Sequence, residues 1–211
     1  LEKEVVTFIS QVKVDPKDPK LKNPTKFIGR HYTKEIALDM MKKFNWQMKE
    51  QETDSWRRVV SSPTPEYLFN GQSIRHMMEF GTIVIAAGGG GIPAYLKENK
   101  ELRLIDGVID KDMTSALLGR IVKSEEFFII TDVDYVCSNY GSNDATKIHK
   151  SNLKEMKEWL NEGHFQEGTM KPKIEAAIYF LEHHGEKVII TSIDNIKNAI
   201  KGKSGTIIEK V

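Results

Sequence analysis

The chain of 211 residues has one cysteine, Cys137, which excludes an intramolecular disulfide and any all-cysteine metal cluster. Such sparing use suits a reducing compartment, where a free thiol is the default. No run approaches the roughly 20 apolar residues that a membrane-spanning helix needs, and the opening LEKEVVTFIS lacks the layout of a signal peptide. The expectation is a soluble, cytoplasmic protein with no membrane role. Excess charge is missing as well: 31 Lys and Arg against 30 Asp and Glu leave +1, so no global field argues for a nucleic-acid partner. Any anion site must therefore be local. The length suits one domain with a sizeable core, residues 1–211, and neither repeats nor low-complexity tracts interrupt it.

Several familiar signatures are absent too. A dinucleotide-binding G-x-G-x-x-G starting at Gly88 would need glycine where Pro93 stands. The GKS at 202–204 would need glycine at Lys197 to form a P-loop, and too little chain follows it for the required helix. No H-E-x-x-H or spaced Cys/His set exists, so no metal ligands are assigned. His183 and His184 close a helix before Gly185, where imidazolium would favour the helix dipole, and they receive no catalytic role. Cys137 has no base partner nearby in sequence and reads as a buried or half-buried thiol.

What is present is an alternation of helices and short strands built on continuous apolar runs. TIVIAA, EFFIIT and KVIITS are the strands that a sheet covered on both faces requires. Helices are expected at 33–44, 65–80, 111–122, 151–161 and 171–184, with a short one after KVIITS, and TIIEK as a last strand. The fold class is α/β, a three-layer helix–sheet–helix arrangement with a mostly parallel central sheet. VVTFISQVKV reads as a first strand. The Pro- and Lys-rich stretch 15–32 can be neither continuous helix nor central strand, and two short strands follow at 45–62. Residues 15–62 thus read as an excursion from the main sheet, a protruding lid or substrate lobe. Leu1, in place of Met and close to a strand, reads as the start of a cut chain.

In such sheets ligands bind beyond the carboxyl ends of the strands, and there the sequence places its chemistry. Gly88 to Gly91 follow TIVIAA, where bare backbone amides can surround an anion; the same glycines also suit a merely structural turn. GVIDKDMTSALLG sets Asp110, Lys111 and Asp112 in a row at a helix start. Asp110 is a good N-cap, so Asp110→Asn should be mild. A lysine there opposes the helix dipole unless an anion is bound. Lys26 in NPTKFIG and Lys173 in GTMKPKIEAA also sit beside shaped turns, and phosphoryl transfer needs such cations to neutralise non-bridging oxygens. TDVDYVCSNYG places Thr131, Asp132 and Val133 at a strand end with Tyr135 and Tyr140 beyond, where a base can stack; an ordinary Asx turn fits the same residues.

In this order, NPTKFIGRHY, IVIAAGGGGIPA, GVIDKDMTSALL, FIITDVDYV, GHFQEGTMKPKIEAAI and VIITSIDN…GKSGTII resemble the carbamate kinases of the amino-acid kinase family along nearly the whole chain. The resemblance implies reversible phosphoryl transfer between ATP and carbamate, often run from carbamoyl phosphate and ADP towards ATP, with Mg²⁺ and in a homodimer. Lys111 and Lys173 match the family's phosphate-contacting lysines, and Asp112 matches the aspartate that orients them. Lys26 matches the lobe lysine on the carbamate side, and Gly88, Gly89 and Gly90 would line the acceptor site. Thr131, Asp132, Val133 and Met170 would face the nucleotide. Alternatives are a kinase of acetylglutamate or UMP, against which the short NPTKFIG lobe argues, and a non-catalytic nucleotide-binding relative. The chain departs from the family in having Lys171 where glycine is usual, and in showing neither the Gly-Gly-Asn turn nor the Gly-Asn-Gly-Pro turn that holds the transferring group. It corresponds to the C-terminal two-thirds of such an enzyme, and on its own is expected to leave the sheet incomplete.

Overall fold

The computed structural model describes residues 3–211; Leu1, on which the reading of a cut chain rests, lies outside them. Six α-helices, α1 (Lys34–Phe44), α2 (Gly71–Glu79), α3 (Lys111–Val122), α4 (Leu153–Asn161), α5 (Met170–His183) and α6 (Ile196–Ile200), alternate with strands as the α/β expectation requires. The strands form separate sheets in place of one central sheet, and these mix parallel with antiparallel pairing. Glu126–Thr131 and Lys187–Ser192 run parallel in full register, but Thr206–Glu209 joins the latter antiparallel and pairs in parallel with Lys150–Asn152. In the N-terminal half, Gln11–Val14 pairs in parallel with Ile92–Leu96 and lies antiparallel to Pro65–Leu68.

Two boundaries move for local reasons. Residues 65–68, expected as the start of a helix, form an edge strand, where proline's missing amide is tolerated and where Leu68 is fully buried opposite Val12. VVTFISQVKV divides into Val5–Thr7, paired with Ile83–Ile85, and Gln11–Val14, paired with Ile92–Leu96. Ser10 makes the crossing: its carbonyl accepts from the Ile92 amide at 2.8 Å and its hydroxyl from the Ala87 amide at 3.0 Å. Val5, Ile83 and Ile85 leave about half of their surfaces in solvent.

Two hydrophobic clusters form the core, one around Val12, Leu68, Ile74 and Ile109, the other around Met156, Ile174, Phe180 and Ile190. Helix α3 joins them, packing Ala116 into the second and Leu118, Ile121 and Val122 against the first. Its approach to α5 depends on Gly119, where a Cβ would stand 2.7 Å from the Phe180 ring. Asp110 caps its start, accepting from the Asp112 and Met113 amides at 3.0 and 3.1 Å. The body of α3 is thus wedged between both clusters, and Ile109, in the first, fixes the chain just before the helix cap.

Residues 15–62 contain an antiparallel sheet of Lys26–Tyr32, Ser55–Val60 and Met48–Glu52, with α1 against it and Thr33 as the helix N-cap. Asp18 ties its root to residue 64, accepting from the Thr64 and Lys20 amides at 2.7 and 2.8 Å. Burial alone would raise the Asp18 carboxyl, and these amides lower it overall.

Candidate active site

A cavity of about 770 Å³ opens where the starts of α3 and α5 meet the carboxyl end of Glu126–Thr131. It gathers Lys26, Asp110, Lys111 and Asp112 with Lys173, residues far apart in the chain. The alternating charges of the DKD row then separate by direction. Asp112 bonds Lys173 Nζ at 2.8 Å, and both side chains are only 14% exposed. Asp110 uses one oxygen on the helix amides and pairs through the other with Lys26. Lys111, exposed between them, has no ion pair among the described residues. Each aspartate therefore holds a lysine brought in from another segment, and the middle lysine remains available to a ligand.

Of the two helix starts at this space, that of α3 is capped by Asp110 and that of α5 is not. Thr169, preceding α5, makes no side-chain cap, and a helix N-terminus left in that state favours an anion. Pro172 fits the first turn because its absent amide is not needed there. Lys171 is turned to Glu167 at 2.5 Å and is not among the residues lining the cavity, so the cation standing at the family's glycine position does not enter the site.

The nucleotide-side candidates Thr131, Asp132, Val133 and Met170 all line the same cavity. Beyond them a hairpin, Val136–Ser138 with Thr146–Ile148, continues the wall with Cys137, Tyr140 and Lys147. Tyr135 stacks on His149 with ring centroids 4.6 Å apart, and Lys147 lies 5.7 Å from the Tyr135 centroid. Asp134 accepts the Ser192 hydroxyl at 2.5 Å, tying together the ends of the two parallel strands. That bond, aided by Asn195, lowers the Asp134 carboxyl. Lys147 and the Asp110–Lys26 pair escape a reading of the sequence, and Cys137 is the half-buried thiol expected, here part of the cavity wall.

The glycines divide. Gly89 lines the main cavity, while Gly88 and Gly89 face a smaller one of about 460 Å³ beside Thr7–Ser10. Gly90 is buried against the Ile109 carbonyl, and its own carbonyl accepts the Thr114 hydroxyl at 2.9 Å. It shapes the turn without opening onto either cavity.

Glu175, one turn beyond Lys171, is pushed above the usual carboxylate range by burial and by the nearby Glu167 and Asp110 charges, with Lys171 and Lys20 opposing. A carboxyl raised in the folded state contributes stability below its unfolded value and loses it as pH rises through the folded one. Glu175→Gln should therefore melt higher than the parent at neutral pH. The advantage should vanish below about pH 4. Thermal unfolding across pH checks this, and equal melting at pH 7 would remove the burial argument.

The sequence pattern of the amino acid kinase family matches residues 27–192, and the chain belongs to that family. Its relatives are narrower still: it is 42% identical to the carbamate kinase of Thermoplasma acidophilum over 99% of this chain and 67% of that one. The carbamate kinase of Staphylococcus haemolyticus is 43% identical over 100% of this chain and 68% of its own. Among solved structures, carbamate kinase from Giardia lamblia bound to AMP-PNP superposes with a TM-score of 0.83 at 38% identity, covering 99% of this chain and 66% of that one. The chain thus spans about two-thirds of the length of these relatives.

Proposed function

We propose that the intact protein is a carbamate kinase, a phosphotransferase that moves a phosphoryl group reversibly between carbamoyl phosphate and ADP. The observation that carries this is the similarity to carbamate kinases along essentially the whole chain. In the direction of ATP synthesis, a terminal oxygen of ADP attacks phosphorus, the bond from phosphorus to the carbamoyl oxygen breaks, and carbamate leaves with that electron pair. Little covalent work falls to the protein; catalysis consists of positioning and of neutralising charge on the transferring oxygens. Lys111 and Lys173 supply that neutralisation, Asp112 orients Lys173, and the start of α5 adds backbone amides. Lys26, Gly88 and Gly89 bind on the carbamate side, in a turn that buried Gly90 shapes, and Thr131, Asp132, Val133 and Met170 on the nucleotide side. Residues 15–62 act as the lobe that covers the acceptor.

Among the described residues no group of three or more His, Cys, Asp and Glu could hold a metal. Mg²⁺ would come with the nucleotide, since this ion keeps several waters and takes phosphate oxygens with one or two protein carboxylates. Asp132, exposed and hydrogen-bonded to the neighbouring Thr131 hydroxyl, would offer one such oxygen. When bound, the ion would offset the charge of the phosphate oxygens. No helix among the described residues is long and apolar enough to cross a membrane, and a cytoplasmic homodimer is the form proposed.

The test is ATP formation by the full-length protein with carbamoyl phosphate, acetyl phosphate and acetylglutamyl phosphate side by side, each with ADP and Mg²⁺. Carbamoyl phosphate should be preferred. Preference for either of the others would overturn the assignment.

A further inference from the structure

Asp110 does more than a helix cap requires. One oxygen, Oδ1, serves both free amides at the start of α3, which satisfies the cap. The other is bonded to Lys26, 84 positions away, with the two side chains 18% and 29% exposed. The backbone around the pair is equally tied: Lys26 is in register with Val60, and the carbonyl of the next residue, Ser61, accepts the Val108 amide at 2.9 Å. The root of the lobe and the start of α3 thus form a closed ring through Val60, Ser61, Val108, Asp110 and Lys26. A lysine stem has several free rotations, whereas an ammonium held at one donor keeps two others for a ligand.

We propose that Asp110 is a positioning residue for phosphoryl transfer, anchoring Lys26 Nζ at the cavity wall so that its remaining donors meet the anionic acceptor-side substrate. This rests on the carbamate kinase reading. The same pairing holds the Asp110 carboxyl below its ordinary range: burial would raise it, and Lys26 with the two helix amides prevails. The pairing therefore favours the charged aspartate. It revises the expectation from sequence that Asp110→Asn is mild, since asparagine preserves the cap while losing the charge that holds Lys26.

The experiment compares full-length wild type, Asp110→Asn, Lys26→Ala and the double variant in ATP synthesis. Freezing a long side chain on binding is unfavourable, so Asp110→Asn should raise the KM for carbamoyl phosphate about tenfold, with kcat and the KM for ADP within about twofold of wild type. Lys26→Ala should do at least as much, and the double variant should be no worse than Lys26→Ala alone. A cap-only role predicts wild-type kinetics for Asp110→Asn, with lowered melting confined to Asp110→Ala, and that result overturns the proposal. So does a lowered KM, which would mean that Asp110 competes with the substrate, or a double variant equal to the product of the two singles. Wild-type enzyme that makes no ATP from carbamoyl phosphate would instead refute the functional reading, and this proposal with it.

Discussion

Lys173→Ala is expected to lower kcat by about 10²–10³, the usual loss when one preorganised electrostatic donor is removed from a phosphoryl or acyl transfer site. The KM for ADP should change far less, because the charge that Lys173 meets grows as the phosphoryl group moves. The geometry adds a second consequence. Asp112 is 14% exposed and pairs with Lys173, so truncating the lysine strands a largely buried carboxylate and should destabilise the fold by about 1–3 kcal/mol. Lys173→Ala/Asp112→Asn should recover that stability without recovering rate. Lys111 provides the opposite control, since it is exposed and has no ion pair among the described residues. Lys111→Ala should lose rate to a similar degree with an unchanged unfolding midpoint. Steady-state kinetics alongside urea unfolding separates these outcomes, and full activity in either lysine variant would place the transferring group elsewhere.

The difference between Lys111 and Lys173 marks how far the residues alone could be read. The row Asp110, Lys111, Asp112 at a helix start raises the expectation of an anion site because a lysine there opposes the helix dipole unless an anion is bound. Which aspartate holds which lysine is a tertiary fact: Lys173 lies 61 residues from Asp112, and Lys26 lies 84 from Asp110. Helices with a clear cap and amphipathic spacing, such as Lys34–Phe44 and Lys111–Val122, fall where periodicity sets them. Pro65–Leu68 does not, because its strand character comes from pairing with Gln11–Val14, some fifty positions earlier. Apolar composition likewise does not encode direction: Lys187–Ser192 pairs in parallel with Glu126–Thr131 and antiparallel with Thr206–Glu209. The glycines show the same limit. Four in a row announce a backbone turn, but only the packing tells which of them a side chain would break.

Gly90→Ala should be the most damaging single-methyl change in the site. At φ +87° the residue lies in the left-handed region, and a Cβ would stand 2.3 Å from the Ile109 carbonyl oxygen and 3.0 Å from its carbon. Both contacts are backbone, fixed by the core residue Ile109, which is 2% exposed, and cannot swing aside as a side-chain end would. Left-handed backbone costs about 1–2 kcal/mol for a residue with a Cβ, and overpacking a further 1–3 kcal/mol. The sum, about 3 kcal/mol, corresponds to a fall in melting temperature of about 6–12 °C for a chain of this size. At Gly88 and Gly89 an added Cβ would meet nothing within 4 Å, and neither has left-handed backbone, so Gly88→Ala and Gly89→Ala should melt within about 1 °C of the parent. Rate should follow geometry as well: relief of the clash moves Ile109, the residue before Asp110, and with it the start of α3 that carries Lys111 and Asp112. Thermal unfolding of the three alanine variants decides the matter. A Gly90→Ala protein that melts with the parent and keeps its kcat would mean that this turn is loose, and that the start of α3 is set by the helix cap alone.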